Sequence, residues 1–105
     1  MSFSVESREI DKAIVRIAVS GDLDAATDYQ LLRAIRDALG TYGIRGIIVD
    51  LDGVEVVDDA GIRAIEKGHR IADRADVPFL VVNAHSNRTR SILDNVGVLT
   101  ATSRP

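Results

Sequence analysis

The side chains most able to do chemistry in this chain are aspartates, and they stand in three short groups. These groups are Asp22 with Asp24, Asp50 with Asp52, and Asp58 with Asp59. Each group follows an apolar run, so we expect it at the end of a strand or at the start of a helix. Carboxylates in such places can assist phosphoryl transfer with Mg²⁺, cap a helix, shape a turn or contact a protein partner.

Phosphoryl transfer is the enzymatic interpretation of the second group. The run from Ile47 to Val54 resembles the strand followed by D-x-D-G in haloacid-dehalogenase-type phosphatases. That resemblance makes Asp50 a nucleophile and Asp52 an acid and base, with Mg²⁺ offsetting charge. Such phosphatases carry the motif near the N-terminus and need a later lysine and further acids, whereas only Lys67 and a few carboxylates follow it here. The sequence therefore favours a protein that is not an enzyme, with the phosphatase as the weaker alternative.

Other catalytic or metal-binding constellations are missing from the sequence. There is no cysteine, which excludes thiol nucleophiles and cysteine-ligated zinc. His69 and His85 lack a second ligand at a suitable spacing, so we predict no metal site and no cofactor. No Ser-His-Asp order surrounds Ser86, which fits better as a helix cap.

Length and composition indicate one globular domain over residues 1–105. The 105 residues are 46% hydrophobic and 28% charged, the balance of a chain that folds on its own. A net charge of −3 and only two phenylalanines and two tyrosines argue against nucleic-acid binding. Charged residues from Glu6 to Lys12 interrupt any apolar segment there, so we expect a cytoplasmic protein without membrane insertion.

Alternating patterns predict strands and helices in turn. Period-two runs predict a hairpin of two strands, Phe3 to Ile10 and Ala13 to Val19, with Gly21-Asp22 ending the second strand. The helical pattern from Thr27 to Leu39 begins with capping-box spacing between Thr27 and Gln30. An apolar run predicts a central strand from Ile47 to Leu51.

The second half of the chain repeats this alternation. A helix is predicted from Asp58-Asp59 to about Asp76-Val77-Pro78, then a strand from Phe79 to Val82. Ser86 is expected to cap a third helix that ends before Gly97, and a short tail follows. This order predicts an α/β domain with a mixed sheet.

The order of the aspartate groups resembles the STAS domain family. Its usual pattern is G-x-L-D, a hydrophobic strand ending in D-L-S, and D-S-S-G-L. This chain has Gly21-Asp22-Leu23-Asp24, then Asp50-Leu51-Asp52, then Asp58-Asp59-Ala60-Gly61-Ile62. The resemblance implies a single α/β domain with a mixed sheet of four or five strands and helices mainly on one face.

The resemblance also implies a function and a partner surface. The resemblance is to STAS domains of the anti-sigma factor antagonist type. Their partner is an anti-sigma factor that is also a serine kinase of the ATPase type. Partners of transporter ATPases and stress-signalling assemblies are the alternatives within the family. The implied partner-binding residues are Asp22, Asp24, Thr27, Asp58, Asp59, Ala60, Gly61 and Ile62.

Two positions depart from the family pattern at the residues that carry its switch. Ala60 stands where the family has its phosphorylated serine, and Asp59 stands where the preceding serine would be. An alanine methyl cannot accept a phosphate, so the usual switch is absent at this position. For Asp58 a helix cap is the competing explanation, for Asp22 and Asp24 a turn, and for Gly61 close backbone approach.

Overall fold

The computed structural model describes residues 3–101, and five strands form its sheet in sequence order. The strands are β1 (Ser4–Asp11), β2 (Ile14–Leu23), β3 (Gly46–Val57), β4 (Phe79–Val82) and β5 (Leu99–Ala101). β1 and β2 form the predicted antiparallel hairpin, and β2, β3, β4 and β5 run parallel. The mixed sheet predicted from the sequence is therefore confirmed, with five strands rather than four.

Three helices cover one face of this sheet, as predicted. They are α1 (Asp28–Leu39), α2 (Asp59–Arg74) and α3 (Asn87–Asn95). The strand residues beneath them are fully buried and alternate with half-buried neighbours on the opposite face; the buried ones include Ile17, Val19, Val49, Leu51 and Val81. Every second residue of β2 is thus buried because its side chain points to the face that the helices cover.

The α1 and α2 helices pack against each other in the core, where Gly68 of α2 faces Ile35 of α1. Leu31 and Ile35 of α1 and Ile65 of α2 are fully buried in the core. A Cβ atom at Gly68 would overlap Cδ1 of Ile35. Gly68 lowers the intrinsic helix propensity of α2, and its lack of a side chain is what allows this approach.

Two helix starts have the caps that the sequence predicts, and the third does not. Asp58 Oδ1 accepts a hydrogen bond from Gly61 N at 3.0 Å, and Ser86 Oγ accepts one from Thr89 N at 3.3 Å. The predicted capping box at Thr27 is wrong, because the Thr27 side chain makes no cap hydrogen bond to α1. Its hydroxyl is used in the preceding loop instead.

The largest differences from the predicted strands are at the ends of β2 and β3 and in the predicted tail. β2 continues to Leu23 instead of ending at Gly21-Asp22, and Gly21 passes through this stretch with φ of +97°. β3 extends beyond Leu51 to Val57, because its later residues pair with the extended end of β2. The predicted tail contains β5, which pairs with β4.

In the part of the chain that the structure describes, no helix has both the length and the apolar character needed to cross a lipid bilayer.

Candidate functional site

The ends of β2 and β3 meet at the first turn of α2, where most of the predicted site residues lie. Asp58 caps the helix with extended backbone, and its N–H donates to the carbonyl oxygen of Leu23 at 3.2 Å. A Cβ atom on Gly61 would lie 2.5 Å from that same oxygen and 3.0 Å from Val57 Cγ1. The predicted close approach at Gly61 is confirmed, and it fixes the helix start against both strands.

The loop between β2 and α1 is organised by one hydroxyl. Thr27 Oγ1 accepts a hydrogen bond from Asp24 N at 3.0 Å and donates to the carbonyl oxygen of Asp22 at 2.8 Å. Asp24 Oδ1 accepts from Ala26 N at 2.9 Å. Asp24 and Thr27 therefore shape the loop, the turn-forming role that short polar side chains commonly take.

The predicted site residues divide into exposed carboxylates and a nearly buried helix face. Asp22 and Asp58 are exposed, and the Asp59 side chain is 75% exposed at the first residue of α2. Ala60 is 9% exposed and Ile62 only 7%. A partner approaching this surface would meet the carboxylates first, while Ile62 belongs to the core beneath them.

An arginine that the sequence reading missed joins this surface. Arg88, in the first turn of α3, places Nη2 at 3.3 Å from Asp59 Oδ1. The two residues are 29 positions apart, so only tertiary structure brings them together. Both side chains are mostly exposed, and an exposed pair of this kind contributes little stability, so both remain available to a partner.

The middle aspartate group lies apart from this surface, on the sheet face that the helices leave uncovered. Asp50 is only 6% exposed, and its carboxylate accepts hydrogen bonds from Arg16, from Asp52 N at 2.9 Å and from Asn83 Nδ2 at 3.0 Å. Burial raises the pKa of Asp50, and these hydrogen bonds with the Arg16 charge outweigh it, so the pKa lies below its ordinary value. The ionised carboxylate holds neighbouring strands together rather than facing a substrate.

We predict that the protein with Mg²⁺ does not hydrolyse phosphate esters. The oxygens of Asp50 that a phosphatase would use for attack are engaged by Arg16, Asp52 N and Asn83. Release of p-nitrophenol from p-nitrophenyl phosphate measures the activity, with the Asp50→Asn variant as the control. Metal-dependent turnover that this substitution abolishes would establish the phosphatase instead.

The comparisons with known proteins place this geometry in one family. Residues 4–101 match the model of the STAS domain. This chain belongs to the STAS domain family. The match includes all three aspartate groups, so the resemblance seen in the sequence is confirmed.

Solved structures with the same fold include several anti-sigma factor antagonists. SpoIIAA of Bacillus in its unphosphorylated form has a TM-score of 0.78 at 17% identity, with 96% of this chain and 90% of that chain covered. An anti-sigma factor antagonist from Mycobacterium paratuberculosis has a TM-score of 0.74 at 23% identity, covering 91% and 79%. A stressosome chain has a TM-score of 0.70 at 17% identity, covering 92% and 87%. These likenesses establish the shared STAS fold.

Curated relatives of a different kind also match part of the chain. The tRNA-specific 2-thiouridylase MnmA 2 of Clostridium botulinum is 28% identical over 85 residues, which are 81% of this chain. Those residues are 23% of the enzyme, so the chain spans about a quarter of the length of these relatives. The STAS family therefore remains the basis for the function.

Proposed function

We propose that this protein is an anti-sigma factor antagonist that binds an anti-sigma factor of the serine kinase/ATPase type. The observation that carries the proposal is the exposed carboxylate of Asp59 at the start of α2 in a STAS domain. The Asp58 cap and the contact between Gly61 and Leu23 hold this helix start in place. The protein acts in the cytoplasm by binding this partner. It performs no catalysis and uses no cofactor or metal.

The proposed interface consists of the residues that the family pattern selects. It comprises Asp22, Asp24, Thr27, Asp58, Asp59, Ala60, Gly61 and Ile62. Exposed carboxylates give specificity and speed the encounter with a basic partner patch, since complementary charge steers association. The buried members act by fixing the positions of the exposed ones, which reduces the entropy lost on binding.

Ala60 makes this binding independent of the family's kinase switch. A phosphate adds a charge of about −1.5 to −2 and three acceptor oxygens, whereas the Asp59 carboxylate adds one charge at the neighbouring position. Asp59 is therefore a poor substitute for a phosphate. The protein stays in the unphosphorylated, partner-binding form.

A second candidate function follows from the same alanine. A STAS domain without the acceptor hydroxyl can also serve as a fixed component of a stress-signalling assembly, or as the partner of a transporter ATPase. The interface would be the same, and the partner recovered from the source cell separates the candidates.

Reversing the charge of Asp59 tests the proposed interface. With the anti-sigma factor that co-purifies from the source cell, we expect Asp59→Lys to weaken binding about tenfold, because an attraction becomes a repulsion. The fold should change little, since loss of the helix-dipole contact costs only about 0.3–1 kcal/mol. Calorimetric titration measures the affinity, and Asp73→Lys, at another exposed aspartate of α2, is the matched control. Equal affinities for wild type and Asp59→Lys would remove Asp59 from the interface.

A further inference from the structure

A groove runs between α1 and α2, beginning beside the proposed interface. Its volume is about 320 Å³. Leu32 of α1 and Ala60 and Ala64 of α2 are its apolar lining residues. Ala60 is thus shared by the groove and by the surface at the start of α2, so a partner bound at that surface reaches the groove without a gap.

The α2 side of the groove carries three cations in one stripe. Arg63, Lys67 and Arg70 line it, all exposed and spaced four and three residues apart, which places them on one helix face. Glu66 is 3.4 Å from Arg70. Among the described residues, no carboxylate lies within 4.0 Å of the side-chain nitrogens of Arg63 or Lys67.

Arg63 and Lys67 make no ion pair with another described residue that would hold the fold together, whereas Arg70 pairs with Glu66. Arg63 and Lys67 are like charges four residues apart on one helix, so they repel each other and lower helix stability. The protein as a whole is acidic, with a net charge of −3. The charged residues that line the groove are Asp28, Arg63, Glu66, Lys67 and Arg70, and three of these five are basic. A ligand that brings carboxylates to Arg63 and Lys67 would remove the repulsion.

The residues that line the groove suit an amphipathic helix. Small side chains at Ala60 and Ala64 let another backbone come close to α2, and Leu32 supplies the apolar wall opposite them. Amphipathic helices bind such grooves through an apolar stripe flanked by charges. The charge that complements Arg63 and Lys67 is negative.

We propose that this groove binds an amphipathic helix of the partner whose acidic side chains pair with Arg63 and Lys67. The partner then presents basic groups to Asp58 and Asp59 and acidic groups along α2, which sets the direction in which it docks. The identity of the partner rests on the proposed function, whereas the groove rests on its own geometry.

The test uses a synthetic peptide, so it needs no partner protein. The probe is a helix of about 15 residues with a Leu/Ala stripe flanked by Glu, and a Lys-flanked peptide of the same apolar sequence is the control. Titration of the ¹⁵N-labelled protein, followed by NMR, should give saturable shifts at Leu32, Ala60 and Ala64. Arg63→Glu/Lys67→Glu should weaken binding about tenfold, and Arg33→Glu, at an exposed α1 residue outside the groove lining, should not.

Several results would overturn the groove proposal. They are the absence of saturable shifts, equal binding of both peptides, an affinity that Arg63→Glu/Lys67→Glu leaves unchanged, and binding to vesicles of anionic phospholipid in place of the acidic peptide. The peptide test and the Asp59→Lys test address two separate proposals. A failure of the peptide to bind would refute the groove proposal and leave the proposed partner interface unaffected. An unchanged partner affinity in Asp59→Lys would refute the proposed interface at Asp59 and leave the groove proposal standing.

Discussion

Replacing Ala60 with Ser should create a protein that the proposed anti-sigma kinase partner phosphorylates and then releases. Residue 60 is the second residue of α2, where the positive end of the helix favours a phosphate. Arg63, one turn further along α2, lies beside the same groove and can pair with it. The fold should therefore tolerate the modification, while the binding surface gains a second strong negative charge next to Asp59.

The expected size of this effect is large. A phosphate beside Asp58 and Asp59 adds like-charge repulsion and desolvation to the interface, and we expect affinity to fall about a hundredfold or more. Intact mass measures phosphate incorporation after incubation with the kinase and ATP, and calorimetry measures affinity. Ala64→Ser, the same change one turn further along α2, should acquire no phosphate. A phosphorylated Ala60→Ser variant that binds as tightly as wild type would refute this account of the switch.

Gly61→Ala should destabilise the protein by about 1–3 kcal/mol, the range typical of overpacked sites. The new Cβ atom would lie 2.5 Å from the carbonyl oxygen of Leu23, which is held in place by the hydrogen bond from Asp58 N. Alanine favours a helix over glycine by only about 1 kcal/mol, so the steric conflict dominates. Urea unfolding followed by circular dichroism measures the loss.

The same chemical change at Gly46 is the control for Gly61→Ala. A Cβ atom there meets only the carbonyl oxygen of Pro78 at 3.9 Å and Ile14 Cγ1 at 4.0 Å, which is ordinary van der Waals distance. Gly46→Ala should therefore leave the free energy of unfolding nearly unchanged. If Gly61→Ala proves as stable as wild type, the tight junction between β2 and α2 does not constrain the site as described.

Short sequence patterns were sufficient to predict where α2 and α3 begin. An Asp or Ser side chain reaches a backbone N–H three residues ahead, so the caps at Asp58 and Ser86 are visible in a short stretch of sequence. Thr27 shows the limit of the same reasoning. Its hydroxyl bonds to the backbone of Asp22 and Asp24 in the preceding loop, a competing local arrangement with equally ordinary chemistry.

Pairings between distant segments were not visible in the sequence. β5 contains three residues and is recognisable only by its pairing with β4, and the later half of β3 depends on the end of β2. The contact between Asp59 and Arg88 and that between Arg16 and Asp50 join residues about 30 positions apart. The order of the motifs located the candidate surface, but it could not show which of its residues were exposed.

The measurement that tests the central claim most directly is the affinity of the wild-type protein for the proposed anti-sigma kinase partner before and after incubation with ATP. With Ala60 in place of the acceptor, we predict one unchanged dissociation constant and no gain of phosphate in the intact mass. Stoichiometric phosphorylation at another residue, such as Ser86 or Thr89, accompanied by loss of binding, would contradict the claim and show that the switch has moved.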